Sequence, residues 1–303
     1  MNSRKKLLVT GAHGFVAGSV ITQAGAEWEL HAVSRGAPLL QRAGLRWHQC
    51  DPLARSQLSQ LFREVQPNAV IHTAALADID FCQAQPDAAR RVNVDLTRTL
   101  ADLCTGSCAM LVFCSTDNVF DCERAPYRET DVPAPVNYYG ATKAEAERFV
   151  ASRSARAVVA RLALVMGLPV LGAGNSFLAR LIAALKAGKE VGVPAAEVRT
   201  PVDVITLGRA LLELAEGTHA GVFHLAGLDP LNRLELSQHI AARLGLPSEL
   251  IIASDTSRLI GRAPRPRDVS LDSGRARAAL RTPMRSFDDG LSLVLEQAHT
   301  PPP

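Results

Sequence analysis

The sequence lacks long apolar runs and has no strong excess of one charge. Its formal net charge is only +3 over 303 residues, so composition gives no reason to expect a nucleic acid or a membrane as a partner. The apolar run behind the basic N-terminal residues is Leu7-Leu8-Val9, which is too short for a signal peptide or a membrane span. We therefore expect a cytoplasmic globular protein.

Paired cysteines are also missing. The six cysteines include no Cys-x-x-Cys pair, and the spacing of Cys104 and Cys108 has no matching His or Cys pair that would complete a zinc site. We interpret all six as reduced thiols of a cytosolic protein, and we expect no metal site.

Short apolar segments alternate with helical patterns through the first half of the chain. The predicted strands are 7–10, 30–34, 69–73, 109–114 and 157–162, and the predicted helices are 15–24, 52–65, 86–103 and 139–152. Apolar strands without polar alternation are typical of a parallel sheet that is covered on both faces. The order predicts an α/β fold of the Rossmann type, a doubly wound parallel sheet.

The pattern becomes less regular after Gly167, where glycines and prolines interrupt the chain as far as Pro194. A last sheet strand is predicted at 222–225. We therefore predict a dinucleotide-binding domain over residues 1–165, whose sheet is completed by about 200–226. A smaller, interleaved C-terminal substrate-binding lobe would consist of residues 166–199 and 227–303.

A glycine-rich turn follows the first strand and opens a helix. Gly11 and Gly14 allow a tight turn and a close approach of a pyrophosphate, and the helix N-terminus offers unpaired amides. The strand-turn-helix context makes a dinucleotide site the preferred interpretation over a purely structural turn. The residues assigned to the cofactor here are Gly11, His13, Gly14, Phe15 and Val16.

The second predicted strand ends without the carboxylate that an NAD-selective site places on the ribose 2′-hydroxyl. Ser34 and Arg35 stand there instead and would receive the 2′-phosphate of NADP, although Arg35 could also be a solvated loop residue. Asp51 could contact the adenine amino group, or it could be the N-cap of helix 52–65. Ala74 and Ala75 end the third strand, where small residues leave room for a cofactor or serve packing alone.

Three side chains are candidates for chemistry. Tyr139 and Lys143 are spaced to share one face of a helix, and a neighbouring ammonium is expected to lower the pKa of the phenol. Thr116 falls at the carboxyl end of the fourth strand, where doubly wound sheets bind ligands. We predict that Thr116 holds a substrate carbonyl, Tyr139 gives the proton and Lys143 orients the cofactor ribose. The alternative for Thr116 is capping of the next turn.

These motifs together resemble an extended short-chain dehydrogenase/reductase, and within that group the dTDP-4-dehydrorhamnose reductase type. The family's S-T-D-Y-V-F-D-G signature is similar to residues 115–121, with Asn118 in place of the usual Tyr, and its N-x-Y-G-x-T-K helix is similar to residues 137–143. Further similar stretches are 77–82 with Pro86 and Asn93, 175–177, 199–201 and 265–272. Residues 127–135 and 265–272 also resemble the regulatory β subunit of methionine adenosyltransferase.

The resemblance implies an NADPH-dependent reductase of a nucleotide-linked 4-keto-deoxysugar, with NADP(H) preferred over NAD(H), and a homodimer is the commonest default for a soluble enzyme. It adds Pro52, Asn93 and Ser115 to the cofactor site, beside Tyr139 and Lys143. The substrate residues that it implies are Asp117, Asn118, Asn175, Arg199 and Arg267. For Arg199 and Arg267 a structural ion pair is the alternative. The other functions left open are a non-catalytic, NADP-binding regulatory subunit and a sugar-nucleotide epimerase or dehydratase.

Overall fold

The structure, a computed structural model, describes residues 4–153, 156–172, 176–255 and 262–298. The strands are β1 Lys5–Thr10, β2 Trp28–Ser34, β3 Leu45–Gln49, β4 Ala69–His72, β5 Met110–Thr116, β6 Ala157–Leu162, β7 Val165–Met166, β8 Val191–Val193, β9 Val198–Arg199, β10 Val202–Asp203, β11 Gly221–Leu225, β12 Leu231–Asn232 and β13 Ile251–Ala253. The α-helices are α1 Phe15–Gln23, α2 Arg55–Val65, α3 Ile79–Ala84, α4 Pro86–Arg90, α5 Leu96–Ser107, α6 Tyr138–Arg153, α7 Phe177–Lys186, α8 Val204–Ala215, α9 Arg233–Leu244, α10 Gly274–Ala279 and α11 Phe287–Ala298.

Seven strands form the central sheet in the order β11-β6-β5-β4-β1-β2-β3. All neighbouring strands in it run parallel. The order reverses between β1 and β4, which gives the switch point beside which ligands bind in such sheets. The predicted doubly wound α/β fold is therefore confirmed, and the predicted last strand is β11, paired with β6.

The central strands β1, β4, β5 and β6 are buried on both faces because each contains an uninterrupted run of apolar residues. In β1, Leu7 and Val9 join the core under α1 and α8, whereas Leu8 joins the core under α2, α5 and α6. Successive side chains of a strand point to opposite faces, so one uninterrupted apolar run supplies both layers. This double burial explains why the strands show no polar alternation.

Three elements differ from the prediction. Strand β3 has no predicted counterpart; it is an edge strand whose Leu45 and Trp47 only partly join the core. The helix predicted at 52–65 begins at Arg55 with Ala54 as its N-cap, so Asp51 does not cap it. The helix predicted at 86–103 is divided into α4, a π-helical turn at Arg91–Asp95, and α5.

Beyond β6 the chain builds a second hydrophobic core, termed the second lobe, and returns to the central sheet with both α8 and β11. Its own core includes Leu178 of α7, Leu236 of α9 and Leu291 of α11. The short strands pair two by two, as β10 with β7, β12 with β9 and β13 with β8. No helix in the described ranges has both the length and the apolar character needed to cross a membrane.

Candidate active site

The turn between β1 and α1 forms the floor of a cleft of about 850 Å³. Gly11 has φ +69°, and a Cβ there would lie 2.8 Å from the backbone of Ala74, so only glycine fits this close approach of two strand ends. Nine residues that the sequence assigned to a cofactor line the cleft: Gly11, His13, Gly14, Ser34, Arg35, Asp51, Pro52, Ala74 and Ala75. The structure adds Leu53, Phe81 and Arg91, for which the sequence carried no recognised signal.

The end of β2 forms one wall of this cleft. The Ser34 hydroxyl donates to the carbonyl of Gly36 at 3.0 Å, and the ring of His13 hydrogen-bonds the carbonyl of Ala37 at 2.8 Å. These bonds hold the loop after β2 against the glycine turn. Arg35 is exposed, and its guanidinium makes no hydrogen bond or ion pair with a described residue. It is thus a cation that a ligand in the cleft can reach.

Asp51 follows β3 and so lies beside the end of β2, where it caps a turn rather than a helix. Its carboxylate accepts from the amide of Leu53 at 3.0 Å, because the helix begins four residues later. The N-cap alternative for Asp51 is therefore wrong.

Four other residues assigned to the cofactor make contacts within the protein. Phe15 packs against the core of the second lobe, and Val16 packs against the core beneath the sheet. The Asn93 amide bonds both backbone groups of Leu76 at 2.9 and 3.0 Å. The Ser115 hydroxyl donates to the carboxylate of Glu147. These contacts shape the walls behind the cleft.

Thr116 and Tyr139 come together where β5 ends and α6 begins. The Thr116 hydroxyl accepts from the amide of Asn118 at 3.2 Å and donates to the carboxylate of Asp117 at 3.2 Å, so it does cap the following turn. It also lies near enough to the Tyr139 phenol to lower the pKa of that group. Tyr139 is buried and packs with Leu76, a residue of the cleft wall. The phenol therefore lies next to the cleft that begins at the glycine turn.

Lys143 lies one turn along α6 and is almost completely buried. Its ammonium donates to the carbonyl of Cys114 at 2.6 Å and sits 4.2 Å from the centre of the Phe113 ring. Burial lowers the pKa of Lys143 to about 8, while the carboxylate of Glu147 acts in the opposite direction. The lysine therefore remains mostly protonated at neutral pH.

The expectation that Lys143 lowers the pKa of Tyr139 is wrong for this arrangement. Burial raises the pKa of Tyr139 above its ordinary value of 10, and the nearby Thr116 hydroxyl offsets this only in part. The physical reason is that the phenol is removed from water while the ammonium is engaged by the carbonyl of Cys114. The phenol accordingly keeps its proton at neutral pH.

A buried ion pair behind Lys143 was not predicted. Glu147 accepts from the guanidinium of Arg161 at 2.8 Å, and Arg161 lies 3.3 Å from the ring of His224. Ser115 completes the network, which thus joins β5, α6, β6 and β11. In the sequence, only one part of this network is indicated. Glu147 follows Lys143 by four residues, which places both side chains on one face of α6.

The residues assigned to the substrate have different surroundings. Asp117 is buried and pairs with Arg199 at 3.5 Å, whose guanidinium also donates to the carbonyls of Val198 and Pro266. For Arg199 this geometry favours the structural ion pair. Arg267 is exposed and lines a second cavity of about 930 Å³. Asn175 lies outside the described residues.

One of the two polar side-chain atoms of Asn118 has no hydrogen-bond partner among the described residues. Its amide nitrogen donates to the carboxylate of Asp117 at 2.8 Å, which determines the orientation of the side chain. Its Oδ1 atom is buried and has no hydrogen-bond partner among the described residues. A buried acceptor without a donor is unfavourable, so this atom is suited to receive a donor from a ligand.

Residues 263–265, from the C-terminal part of the chain, are bonded to α3 and to the start of α6. Arg265 makes a two-pronged ion pair with Asp80 of α3 at 2.8 and 3.0 Å, and the carboxylate also accepts from the amide of Ala263. The amide of Asn137, directly before α6, donates to the carbonyl of Pro264 at 3.1 Å. Residues 263–265 are thereby held beside the helix that carries Tyr139.

Comparison with known proteins agrees with this geometry. The family model described as RmlD substrate binding domain matches residues 5–300. Methionine adenosyltransferase 2 subunit beta from Pongo abelii is 30% identical over 289 residues, which cover 93% of this chain and 85% of that protein. The crystal structure of a dTDP-4-dehydrorhamnose reductase from Clostridium acetobutylicum is 26% identical, covers 97% of this chain and 100% of that one, and has a TM-score of 0.85. The enzyme of that name from Bacillus anthracis, solved in complex with NADP, shares the fold at 24% identity, with a TM-score of 0.86 over 97% of this chain and 100% of that one.

Proposed function

The chain belongs to the RmlD substrate binding domain family, and on that premise we propose that it is an NADPH-dependent reductase of a nucleotide-linked 4-keto-deoxysugar. The observation that carries the proposal is the grouping of Thr116, Tyr139 and Lys143 at the carboxyl edge of the sheet, beside a cleft that starts at a glycine turn. The relative from Clostridium acetobutylicum, named a dTDP-4-dehydrorhamnose reductase, supports the same class of substrate.

The cleft fits a dinucleotide with a 2′-phosphate. The glycine turn leads directly into α1, whose N-terminal amides would face the pyrophosphate, and the close approach of Gly11 to Ala74 keeps that turn tight. Arg35, at the end of β2, offers a guanidinium that pairs with no described residue, and the sequence there has no carboxylate to select a free 2′-hydroxyl. Gly11, Gly14, Ser34, Arg35 and the pair Ala74–Ala75 would hold the cofactor. When bound, NADPH supplies a hydride to the carbonyl carbon of the substrate.

Tyr139 is the proton donor in this proposal. Its raised pKa means that the phenol is protonated before reaction, as an acid must be. An alkoxide is a base of about the strength of hydroxide, whose conjugate acid has a pKa of about 15.7, so transfer of the phenolic proton to it is downhill. A positioned acid of this kind contributes a rate factor of about 10²–10⁴.

Thr116 and Lys143 prepare that transfer. The Thr116 hydroxyl lies near the phenol, so a carbonyl oxygen bound between them would accept from both O–H groups once Thr116 turns its proton away from Asp117. The Lys143 ammonium lies against the end of β5 through its bond to the carbonyl of Cys114. Its remaining N–H groups would hold the ribose hydroxyls of the cofactor.

The substrate would enter from the side of the second lobe. The unpaired Oδ1 of Asn118 would accept from a sugar hydroxyl, and Arg267 at the second cavity would contact the diphosphate. Asp117 would orient this wall through its bond with Asn118 and its ion pair with Arg199.

Replacing Tyr139 with Phe tests the proposal. The expected result is a fall in kcat by about 10²–10⁴, with an unchanged Kd for NADPH because the phenol is not needed to fill the cleft. The measurement is oxidation of NADPH with a panel of nucleotide-linked 4-keto-sugars, run in parallel with NADH. A fully active Tyr139→Phe variant would show that the proton comes from elsewhere.

A second candidate function is favoured by one observation, the 30% identity with methionine adenosyltransferase 2 subunit beta. In that case the chain would bind NADP and act as a regulatory subunit without turnover. Co-expression with a methionine adenosyltransferase followed by gel filtration separates the two functions. A stoichiometric complex together with no reduction of any keto-sugar supports the second, and turnover by the isolated chain supports the first.

A further inference from the structure

Arg233 has an unusual environment that the proposed chemistry does not yet use. Strand β12 pairs with β9, so Arg233, the first residue of α9, directly follows a strand that lies beside Arg199. Its guanidinium carbon is 3.9 Å from the centre of the Phe177 ring, and its backbone amide donates to the carbonyl of Glu197. The stack and the backbone bond hold the side chain in place.

The guanidinium of Arg233 has no polar partner in the described part of the chain. The two carboxylates whose charge acts on it, Glu197 and Asp117, make their ion pairs with Arg199 instead. Burial lowers the pKa of Arg233 to about 10, so the group stays charged at neutral pH. Arg233 is half-buried, and none of its guanidinium nitrogens is both buried and unpaired, so the N–H donors that the protein leaves unused are open to a ligand.

Arg275 shows that stacking on a ring does not by itself leave the donors unused. Its guanidinium carbon lies 4.3 Å from the centre of the Phe223 ring, and its nitrogens donate to the carbonyls of Val222 at 2.7 Å and Ala220 at 2.8 Å. Arg275 is thus satisfied by the protein. Arg233 has the same kind of ring contact, but no described residue accepts a hydrogen bond from its guanidinium.

The position of Arg233 relates it to the reacting groups. Thr116 is followed by Asp117, Asp117 pairs with Arg199, and Arg199 lies on the strand that β12 joins. The charge of Asp117 acts on both Tyr139 and Arg233, so the two residues lie in the neighbourhood of the same carboxylate. The sequence suggested Arg199 for a substrate diphosphate, but its donors are taken by protein groups.

We propose that Arg233 is a substrate-binding residue whose guanidinium holds the diphosphate of the nucleotide-linked sugar. This inference rests on the proposed function, since it assigns a part of the same substrate. A planar guanidinium held flat against Phe177 can present two parallel N–H groups to phosphate oxygens.

The test compares Arg233→Met with Arg275→Met, a matched variant that also loses a stacked guanidinium. Isothermal titration with dTDP and with UDP, in the presence of NADP⁺, measures the affinity for the diphosphate without turnover. Loss of a charged hydrogen bond of about 1.5–3 kcal/mol should weaken binding of the nucleoside diphosphate about 10- to 100-fold in Arg233→Met. Thymidine, which has no phosphate, and NADP⁺ should bind this variant as they bind the wild type.

Three results would overturn the inference. They are an unchanged affinity of Arg233→Met for both diphosphates, an equal loss in Arg275→Met, and a wild-type protein that binds neither diphosphate. The outcome is independent of the reductase assay. If Arg233→Met loses the diphosphate and the wild type reduces no keto-sugar, the assignment of Arg233 stands while the proposed reaction falls.

Discussion

Replacing Gly140 with Ala should damage the site through one steric contact. A Cβ at Gly140 would lie 2.1 Å from the carbonyl oxygen of Asn118 and 2.8 Å from the side chain of Pro135. Carbon and carbonyl oxygen normally approach no closer than about 3.3 Å. The first turn of α6 and the turn at Asn118 must therefore separate by about 1 Å, the difference between these two distances.

That separation would act directly on the reacting groups. Tyr139 precedes Gly140 in α6, and Thr116 is bonded to the amide of Asn118, so each side of the contact carries one of them. A misplacement of about 1 Å can reduce a rate about 10²-fold. Overpacking of this kind also costs about 1–3 kcal/mol of stability.

Gly106→Ala is the matched control. Gly106 lies in α5, and nothing is within 4 Å of the position of its Cβ. Because Ala is the better helix former, this variant should gain up to about 1 kcal/mol and keep full activity. Urea unfolding and kcat, measured on both variants, check the prediction. If Gly140→Ala were as stable and as active as Gly106→Ala, the close packing of α6 on Asn118 would be refuted.

Two further predictions concern the charges of the cleft. Arg35→Ala should weaken binding of NADP⁺ about 10- to 100-fold by removing a charged contact to the 2′-phosphate, while NAD⁺ binding stays the same; equal effects on both cofactors in a titration would contradict the assignment. Lys143→Met should stabilise the protein below pH 8, because burying the ammonium, whose pKa falls from 10.5 to about 8, costs about 3 kcal/mol. Between pH 8 and 10.5 the folded lysine is neutral while the unfolded one is charged, so wild-type stability should rise and the advantage of the variant should disappear. Denaturant unfolding of both proteins from pH 6 to 10 measures this, and a constant difference would refute it.

The wall of the cleft near the glycine turn was predictable because it is built from local sequence. Gly11, Ser34 and Ala74 each lie at the carboxyl end of an apolar strand, and in a parallel sheet these ends meet at one edge. The spacing of Tyr139 and Lys143 likewise determines that they share a helix face. The Glu147 spacing was present too, but nothing local marked Arg161 as its partner.

The errors come from positions where local signals compete. Asp51 followed by Pro52 is a good helix start by sequence, but the chain first makes the turn that Asp51 caps, and α2 begins later. Strand β3 has the alternation of an edge strand, yet it is short and charged. The helix before α5 was expected to be continuous, and its π-helical turn aligns Asn93 with Leu76, a contact that only the packed protein provides.

By itself, the sequence determined the wound sheet, its glycine turn and the helix with Tyr139, because apolar runs and i, i+4 spacings act over a few residues. Only the tertiary structure decided the charge states and the partners. Burial, which depends on all the surrounding layers, raises the pKa of Tyr139 and lowers that of Lys143. Tertiary contacts also decide that Arg199 pairs with Asp117, which lies far away in the chain. Arg233, by contrast, has no polar partner among the described residues.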